Sequence, residues 1–352
     1  MKTVLFCLLF LCANLTLAEP YFAVREGFTC STCHVNPTGG GMRNSFGNAY
    51  GQNQLTVTTL NGSSDSPWTG EIAGPISIGA NARYSARQFD IDNTDTATSF
   101  DTDRVSLYVG ATLNDRVSVM IDQQVAPGGS LNRESWLKLN YGNWYLKAGK
   151  LFQPFGWRLE DDSAYIRQVT GINFNTGDNG VELGVQHGSL STQFAITNGA
   201  GGGAETDDGK QVSLRVAQSL RNFQWGVSAN VNNTDNGDRR IGGLFFGFNT
   251  GPVTWLGEFD HIDDKDFVTD VDQDLALLEA NYLIAKGHNL KLTLEAQHFD
   301  DNTEDRMRYS LVWEYFPISF SQFRLGVRER ESDDINVLLN ARELFAQLHV
   351  YF

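Results

Sequence analysis

The chain has 352 residues, of which 41% are hydrophobic and 20% are charged, and 35 of them are glycine. This composition excludes a bundle of transmembrane helices and a low-complexity tail. The 42 acidic residues outnumber the 27 basic ones, and the formal net charge of -15 disfavours a nucleic-acid partner.

The first 18 residues have the layout of a secretory signal peptide. Lys2 supplies the positive start, an apolar run follows from Val4 to Ala13, and a small-residue site ends at Ala18. We therefore predict a signal peptide at 1–18 that is removed on export. A lipoprotein signal is disfavoured because Leu11 precedes Cys12, where a small residue is expected.

Beyond residue 75 the chain repeatedly alternates apolar with polar residues. From Phe223 to Val231, every second residue is apolar, which is the pattern of a strand with one apolar and one polar face. Such segments, most of about ten residues, begin near residues 75, 103, 116, 133, 143, 180, 189, 210, 222, 240, 252, 273, 288, 305, 321 and 341. They predict an all-β fold, a 16-stranded antiparallel transmembrane β-barrel.

The connections between these segments alternate in length. Tight turns such as 113–115 and 249–251 alternate with long polar loops at 90–103, 199–209 and 260–272. Short turns at one rim and long loops at the other are typical of bacterial outer-membrane barrels, with the short turns on the periplasmic side. The sequence thus predicts an outer-membrane location.

The third outer connection, 152–179, is the longest, and a porin often folds this loop into its lumen. The stretch Gly149–Gly156, GKLFQPFG, resembles the G-x-x-x-x-P-F-G region of phosphate-selective porins. A plain turn at the end of a strand is the alternative interpretation.

The chain ends in an unbroken apolar row that resembles the terminal strand of bacterial outer-membrane proteins. The row consists of Leu344, Ala346, Leu348, Val350 and Phe352. Aromatic residues on the apolar faces are candidates for a membrane-interface girdle: Trp144, Trp225, Tyr282, Trp313 and Tyr315. A soluble sandwich could also end in an alternating strand, but the even strand number and the signal peptide favour the barrel.

Basic residues recur on the polar faces of the strands, which face the lumen in such a barrel. They are Lys138, Lys147, Arg215, Lys291, Arg308, Arg324 and Arg328. Two interpretations stay open, a solvated wall of mixed charge and a functional ladder of cations.

A C-x-x-C-H motif precedes the barrel, formed by Cys30, Cys33 and His34. Two thiols at this spacing can add to the two vinyl groups of one haem, and the adjacent imidazole can bind its iron. A zinc site needs about four ligands, and a thioredoxin-like motif needs a surrounding strand and helix. A disulfide is possible in the periplasm but gives no role to His34. We predict one covalent haem c.

The residues after the motif are candidates for haem packing and ligation. The glycine run from Gly39 to Gly41 permits close approach of the backbone to a flat cofactor, and Arg43 can pair with a propionate. Met42 is the first candidate for the sixth iron ligand. His349, on the polar face of the last strand, is its rival, and an open or water-ligated iron is the third possibility.

The haem segment with its linker, 19–67, is too short to bury a porphyrin alone and must use the barrel, 68–352, as its wall. The short polar linker before Pro67 delivers the segment to the periplasmic opening. We therefore predict a haem in or against that mouth, which largely blocks the pore.

An exported chain with one N-terminal C-x-x-C-H and sixteen strands resembles the fused monohaem cytochrome-porins, outer-membrane cytochromes that resemble iron oxidases. Residue matches are confined to Phe22-Ala23, the three motif residues and Phe46-Gly47; the glycine run and the compact barrel depart from the family. The resemblance implies electron transfer between an extracellular donor or acceptor, such as Fe(II), and periplasmic c-type cytochromes.

Two further considerations bear on partners. Carboxylates crowd the predicted outer loops, for example at Asp260 to Asp272, and can collect cations, although acidic outer loops are common in barrels that bind calcium or lipopolysaccharide. The alternative function is a diffusion porin whose haem segment is a plug or redox sensor, and a barrel with a disulfide in place of haem is a third. Outer-membrane lipid is a partner in every case.

Overall fold

A computed structural model describes residues 19–60, 67–92, 95–235, 237–267, 270–300, 305–332 and 340–352. The predicted signal peptide at 1–18 lies outside these residues. The wall is built from β2 (Ile76–Ile91), β3 (Ala97–Asn114), β4 (Val117–Ala126), β5 (Leu131–Tyr141), β6 (Trp144–Leu151), β7 (Asp178–His187), β8 (Leu190–Thr197), β9 (Gln211–Leu220), β10 (Phe223–Thr234), β11 (Gly237–Thr250), β12 (Val253–Lys265), β13 (Val271–Ala285), β14 (His288–Phe299), β15 (Arg306–Tyr315), β16 (Ser321–Ser332) and β17 (Ala341–Tyr351). A short strand, β1 (Glu71–Ala73), precedes them and pairs with β2.

The sixteen long strands form one closed antiparallel barrel. Each pairs with the next along the chain, and β17 returns to β2 with Ala341 opposite Ile91 and Tyr351 opposite Asn81. Closure pairs the two edge strands that an open sheet would leave exposed. The predicted 16-stranded fold is confirmed.

The alternation in the sequence separates an apolar outer face from a polar lumen. Along β10, Phe223, Trp225 and Val227 are exposed on the outside, whereas Gln224 and Ser228 are buried inside. The apolar row of β17 likewise faces outward. Among the described residues, none of the helices combines the length and the apolar content that crossing a membrane requires.

The two rims differ as predicted, with corrections. One rim, here called the turn end, carries the tight turns after β3, β5, β7, β9, β11 and β13; the opposite rim, the loop end, carries the longest connections, 152–177 and 198–210. The predicted loops 90–103 and 260–272 are wrong in extent. The strands continue through much of both, because the carboxylates of Asp103 and Asp264 turn inward and pair with Arg87 and Arg239.

Two stretches outside the wall fill the lumen. The N-terminal segment, residues 19–60, contains α1 (Pro20–Glu26), a 3-10 turn (Cys30–Thr32) and α2 (Ser45–Asn53). The inserted loop, residues 152–177, contains α3 (Tyr165–Gln168) and buries Phe155 and Trp157. The prediction that the third loop folds inward is therefore confirmed.

The basic residues predicted to face the lumen do so, and buried acids accompany them. Lys147 Nζ lies 3.0 Å from the Glu182 carboxylate, and Lys291 Nζ lies 3.6 to 3.8 Å from Glu19, Glu279 and Glu314. The lumen is thus a wall of mixed charge and not a ladder of cations, because burial of one sign alone is costly.

Candidate functional site

The C-x-x-C-H motif lies inside the barrel, in the N-terminal segment. Cys30 begins the 3-10 turn, and its carbonyl accepts hydrogen bonds from the backbone N–H groups of Cys33 (3.2 Å) and His34 (3.1 Å). Cys30 and Cys33 are not joined in a disulfide, and Cys33 and His34 are buried. The turn therefore brings the two thiols and the imidazole into one compact unit.

Asn44 connects this unit to the following helix. Its side-chain amide donates to the carbonyls of Ser31 (3.2 Å) and Thr32 (3.0 Å), while its oxygen caps α2 by accepting from Gly47 N–H (2.9 Å). A Cβ at Gly47 would stand 2.2 Å from the Cys33 carbonyl oxygen, so only glycine permits this approach. The close approach of α2 to the motif thus explains why a glycine follows Phe46.

The turn between His34 and the glycine run is tied to the barrel wall by Asn36. The amide of this fully buried residue donates to both oxygens of Glu134 (2.9 and 3.0 Å), and its oxygen accepts from Thr38 Oγ1 (3.1 Å). Bonds to a charged acceptor are stronger than neutral ones, so this contact fixes the segment on β5.

The motif lines a cavity between the N-terminal segment and the inserted loop. Cys30, Cys33 and His34 line one side of this space, which we call the motif cavity. Its other lining residues are Glu19, Pro20, Ala23, Phe28, Thr29, Thr38, Gly39, Gly40, Trp157, Arg158 and Arg215. Gly40 has φ +75°, and a Cβ there would stand 2.6 Å from the Phe174 ring. Glycine at position 40 therefore lets the backbone lie directly against the inserted loop.

Arg158 is the cation at this cavity with open donors. Its Nη2 donates to the Gln153 carbonyl (3.1 Å), while Nε and Nη1 have no hydrogen-bond partner among the described residues. Burial and the neighbouring Arg167 lower the pKa of Arg158 to about 9. A buried guanidinium with open donors is suited to an anionic group in the cavity.

The other predicted site residues lie apart from the motif cavity. The Met42 side chain packs in an apolar cluster with Tyr108, Met120 and Trp136 on the wall. Arg43 lies over the Tyr351 ring, 4.3 Å from its centroid, and lines a second cavity together with His349. The cavities share Glu19.

The acidic connections hold no preformed metal site among the residues that the structure describes. Within these ranges, no group of three or more His, Cys, Asp or Glu side chains is arranged to hold a metal ion. Asp260 and Asp264, predicted to lie in an outer loop, are instead buried in β12.

Sequence reasoning missed several residues around the motif. Trp157, Arg158 and Asn36 belong to loops, where the period of two that reveals side-chain direction in strands does not apply. Arg215 was placed in the lumen by its position in a strand, but its approach to the motif depends on how the loop folds.

The barrel and its inward third loop define the class of fold as that of the bacterial outer-membrane porins. The chain matches no protein-family model and no curated protein. Among solved structures it is similar to the anion-selective porin from Comamonas acidovorans, with 11% identity, a TM-score of 0.64, and coverage of 79% of this chain and 99% of that one.

Two further structures show the same fold. A loop-deletion mutant of OmpT, an outer-membrane protein of Vibrio cholerae, has 13% identity, a TM-score of 0.61, and coverage of 79% of this chain and 100% of that one. The outer-membrane channel DcaP of Acinetobacter baumannii has 12% identity, a TM-score of 0.60, and coverage of 79% of this chain and 97% of that one.

Proposed function

We propose that the protein is an outer-membrane electron-transfer barrel with one haem c bound covalently to Cys30 and Cys33. The observation that carries the proposal is the position of the motif, whose two cysteine side chains and imidazole line one cavity inside a closed barrel. The apolar outer face supports residence in the membrane.

The residues around the motif fit a haem. The glycine run gives a cavity wall that a Cβ would fill, and Arg158 offers unpaired donors to a propionate. Cys30 and Cys33 would hold the haem through two thioether bonds, each formed by addition of S–H across one vinyl group with no leaving atom. His34 would bind its iron. Bound haem contributes one-electron transfer at its iron.

The chain would give this centre its insulation and orientation. The N-terminal segment and the inserted loop pack against each other where Gly40 meets Phe174 and Arg158. We propose that the turn end faces the periplasm and its c-type cytochromes, while the loop end faces an extracellular donor or acceptor such as Fe(II). The haem would largely block the pore, so that electrons and not solutes cross.

A diffusion porin with a plug or redox sensor is the second candidate. The observation that favours it is the similarity of the barrel to porins and channels. Planar-bilayer recording separates the two functions, because a diffusion porin should show large, stable conductance that does not depend on haem.

The test of the main proposal is the mass of the protein. Expressed in a host that attaches c-type haem, the wild type should carry the added mass of one haem, and the double variant Cys30→Ser/Cys33→Ser should carry none. Ser31→Ala, between the two cysteines, is the matched control and should keep the haem. A wild-type apoprotein with a Cys30–Cys33 disulfide would overturn the proposal.

A further inference from the structure

A second cavity adjoins the motif cavity on the other side of Glu19. It is enclosed by about a dozen side chains from three parts of the chain: the N-terminal segment, the inserted loop and the wall. From the wall come Arg83, Gln322, Arg324, His349 and Tyr351; from the segment and the loop come Arg43 and Glu160. We call this the His349 cavity.

The hydrogen bonds around His349 fix its tautomer. Gln322 Nε2 donates to the carboxylate of Glu314 (3.3 Å), so the oxygen of the Gln322 amide faces His349. That oxygen lies 2.9 Å from His349 Nδ1, which must therefore be the donor. The lone pair of the imidazole is consequently on Nε2.

The Nε2 atom of His349 is buried and has no partner among the described residues. The whole residue is only 6% exposed. Cationic groups face the same cavity, namely Arg43, Arg83 and Arg324, alongside the carboxylates of Glu19 and Glu160. None of the three guanidiniums donates to Nε2. A buried nitrogen lone pair left open in this way is costly unless something binds it.

A hydrogen bond from Nδ1 to a side-chain oxygen is the usual support of a metal-binding histidine, because it orients the ring and strengthens the other nitrogen as a ligand. The Gln322–His349 pair has this form. The ring is also held by Tyr351, whose centroid lies 4.9 Å away.

The Met42 side chain points away from the His34 side chain. His34 pairs with Arg43 in an isolated antiparallel bridge, and Val35 N–H donates to the Met42 carbonyl (3.1 Å). Because neighbouring residues in extended chain point to opposite faces, the Met42 and His34 side chains diverge. The Met42 thioether instead packs on the wall, near Gly110.

We propose that His349 Nε2 is the second axial ligand of the haem iron, an inference that rests on the proposed function. The iron then joins the N-terminal segment, through His34, to strand β17 of the wall, through His349. Met42 has a packing role. The cofactor thereby locks its own segment inside the lumen.

The test compares His349→Ala with Met42→Leu as the matched control, both in the full-length haem protein. His349→Ala should convert the low-spin visible and electron paramagnetic resonance spectra to high-spin ones, and added imidazole should restore the low-spin form. His349→Met should raise the midpoint potential, since a thioether ligand favours the reduced iron. Met42→Leu should leave both the spectra and the potential unchanged.

Limited proteolysis supplies a readout independent of the spectra. The N-terminal segment of His349→Ala should be cut faster than that of the wild type, and imidazole should not restore protection because it does not reconnect the segment to β17. Heat-modifiable gel mobility checks that the barrel has formed, and His349→Gln serves in place of a variant that fails to assemble.

Haem mass distinguishes the two ways to fail. If the wild type carries no haem, both the proposed function and the ligand assignment are wrong. If every variant carries haem and His349→Ala or His349→Gln keeps the wild-type spectrum, or if Met42→Leu changes it, only the ligand assignment is overturned.

Discussion

The N-terminal segment and the inserted loop both lie in the lumen, yet they are held there by different forces. Backbone N–H groups of the loop donate to wall carboxylates, as Trp157 does to Glu258 (2.7 Å) and Tyr165 to Glu295 (2.7 Å). Backbone carbonyls of the segment mostly accept from neutral amides, such as those of Gln224 and Asn249.

This difference indicates that the inserted loop and the N-terminal segment contribute differently to the stability of the barrel. The main chain of the loop itself is bonded to the wall, at Trp157 and Tyr165. The loop is also joined to the wall at both ends, whereas the segment continues into the barrel only at its C-terminal side. The loop is thus a fixed part of the barrel interior, whereas the segment is joined to the barrel at one side and is held by side-chain contacts, among them Asn36 with Glu134 and Glu19 with Lys291.

The largest effects are expected when each of the two stretches is removed. Deletion of residues 20–60 should leave an assembled barrel, since β2 and β17 close it without them, and should produce stable ion conductance in planar bilayers. Replacement of residues 157–170 by a short glycine and serine linker should impair assembly far more, because it leaves the Glu258 and Glu295 carboxylates without the N–H groups that satisfy them. Equal assembly of the two deletion variants would contradict the comparison.

Gly40 tests the contact between segment and loop. In Gly40→Ala the new Cβ would meet the Phe174 ring and Arg158 Cδ (2.9 Å), and we expect a loss of about 3 kcal/mol from left-handed strain plus overlap. Gly128→Ala is the control, with φ +74° and nothing within 4 Å, and should lose only about 1 kcal/mol. Denaturant unfolding in detergent measures both, and equal losses would show that the contact is unimportant.

Asp161 tests the ionic attachment of the loop. Its carboxylate lies 2.9 Å from Arg328 and 3.2 Å from Arg308, so Asp161→Asn should cost about 2 kcal/mol. Asp305→Asn, at an exposed contact with His298, should cost much less. Thermal unfolding followed by gel mobility compares the two; an equal loss would mean that burial adds nothing to the loop contact.

The pH dependence of the Asp161 contribution has a defined sign. Burial alone would raise the pKa of Asp161, but Arg328 and Arg308 outweigh it and hold the pKa well below its usual range. A folded pKa below the unfolded one gives stability that is full above the unfolded pKa of about 3.9 and is lost as the pH falls through the folded pKa. The difference between wild type and Asp161→Asn should therefore be constant from pH 7 to about pH 5 and shrink only in strong acid.

The smallest effect is expected at the segment. Tyr21→Phe removes a buried hydrogen bond to Glu314 (2.7 Å), but the carboxylate keeps Asn289 and Lys291, so the loss should be about 1 kcal/mol. The same unfolding assay measures it. A loss larger than that of Asp161→Asn would reverse the order of the two stretches.

Much of the wall could be predicted from the sequence, because the period of two follows directly from strand geometry. Predicted starts near 288, 321 and 341 coincide with the observed strands. The same parity placed Arg308 and His349 in the lumen. The alternation did not predict the strands within 90–103. This polar stretch was interpreted as a loop, although Asp103 faces the lumen and pairs with Arg87.

The site could be predicted only in part. The C-x-x-C-H motif is local in sequence, so its three residues were evident. Trp157 and Arg158 reach the motif through the folding of a long loop, which has no periodic signal. The choice between Met42 and His349 depends on which face of the short His34–Arg43 bridge the Met42 side chain occupies, and sequence separation alone says nothing about that.

The position of the motif within a closed wall has a consequence for biogenesis. Cys33 is 3% exposed, and strands β2 and β17 close the wall by pairing from Ala341 and Ile91 to Tyr351 and Asn81. If haem is attached to this motif as proposed, attachment has to precede closure of the barrel, while the thiols are still accessible in the unfolded chain. A chain whose barrel closed first would then lack the proposed cofactor.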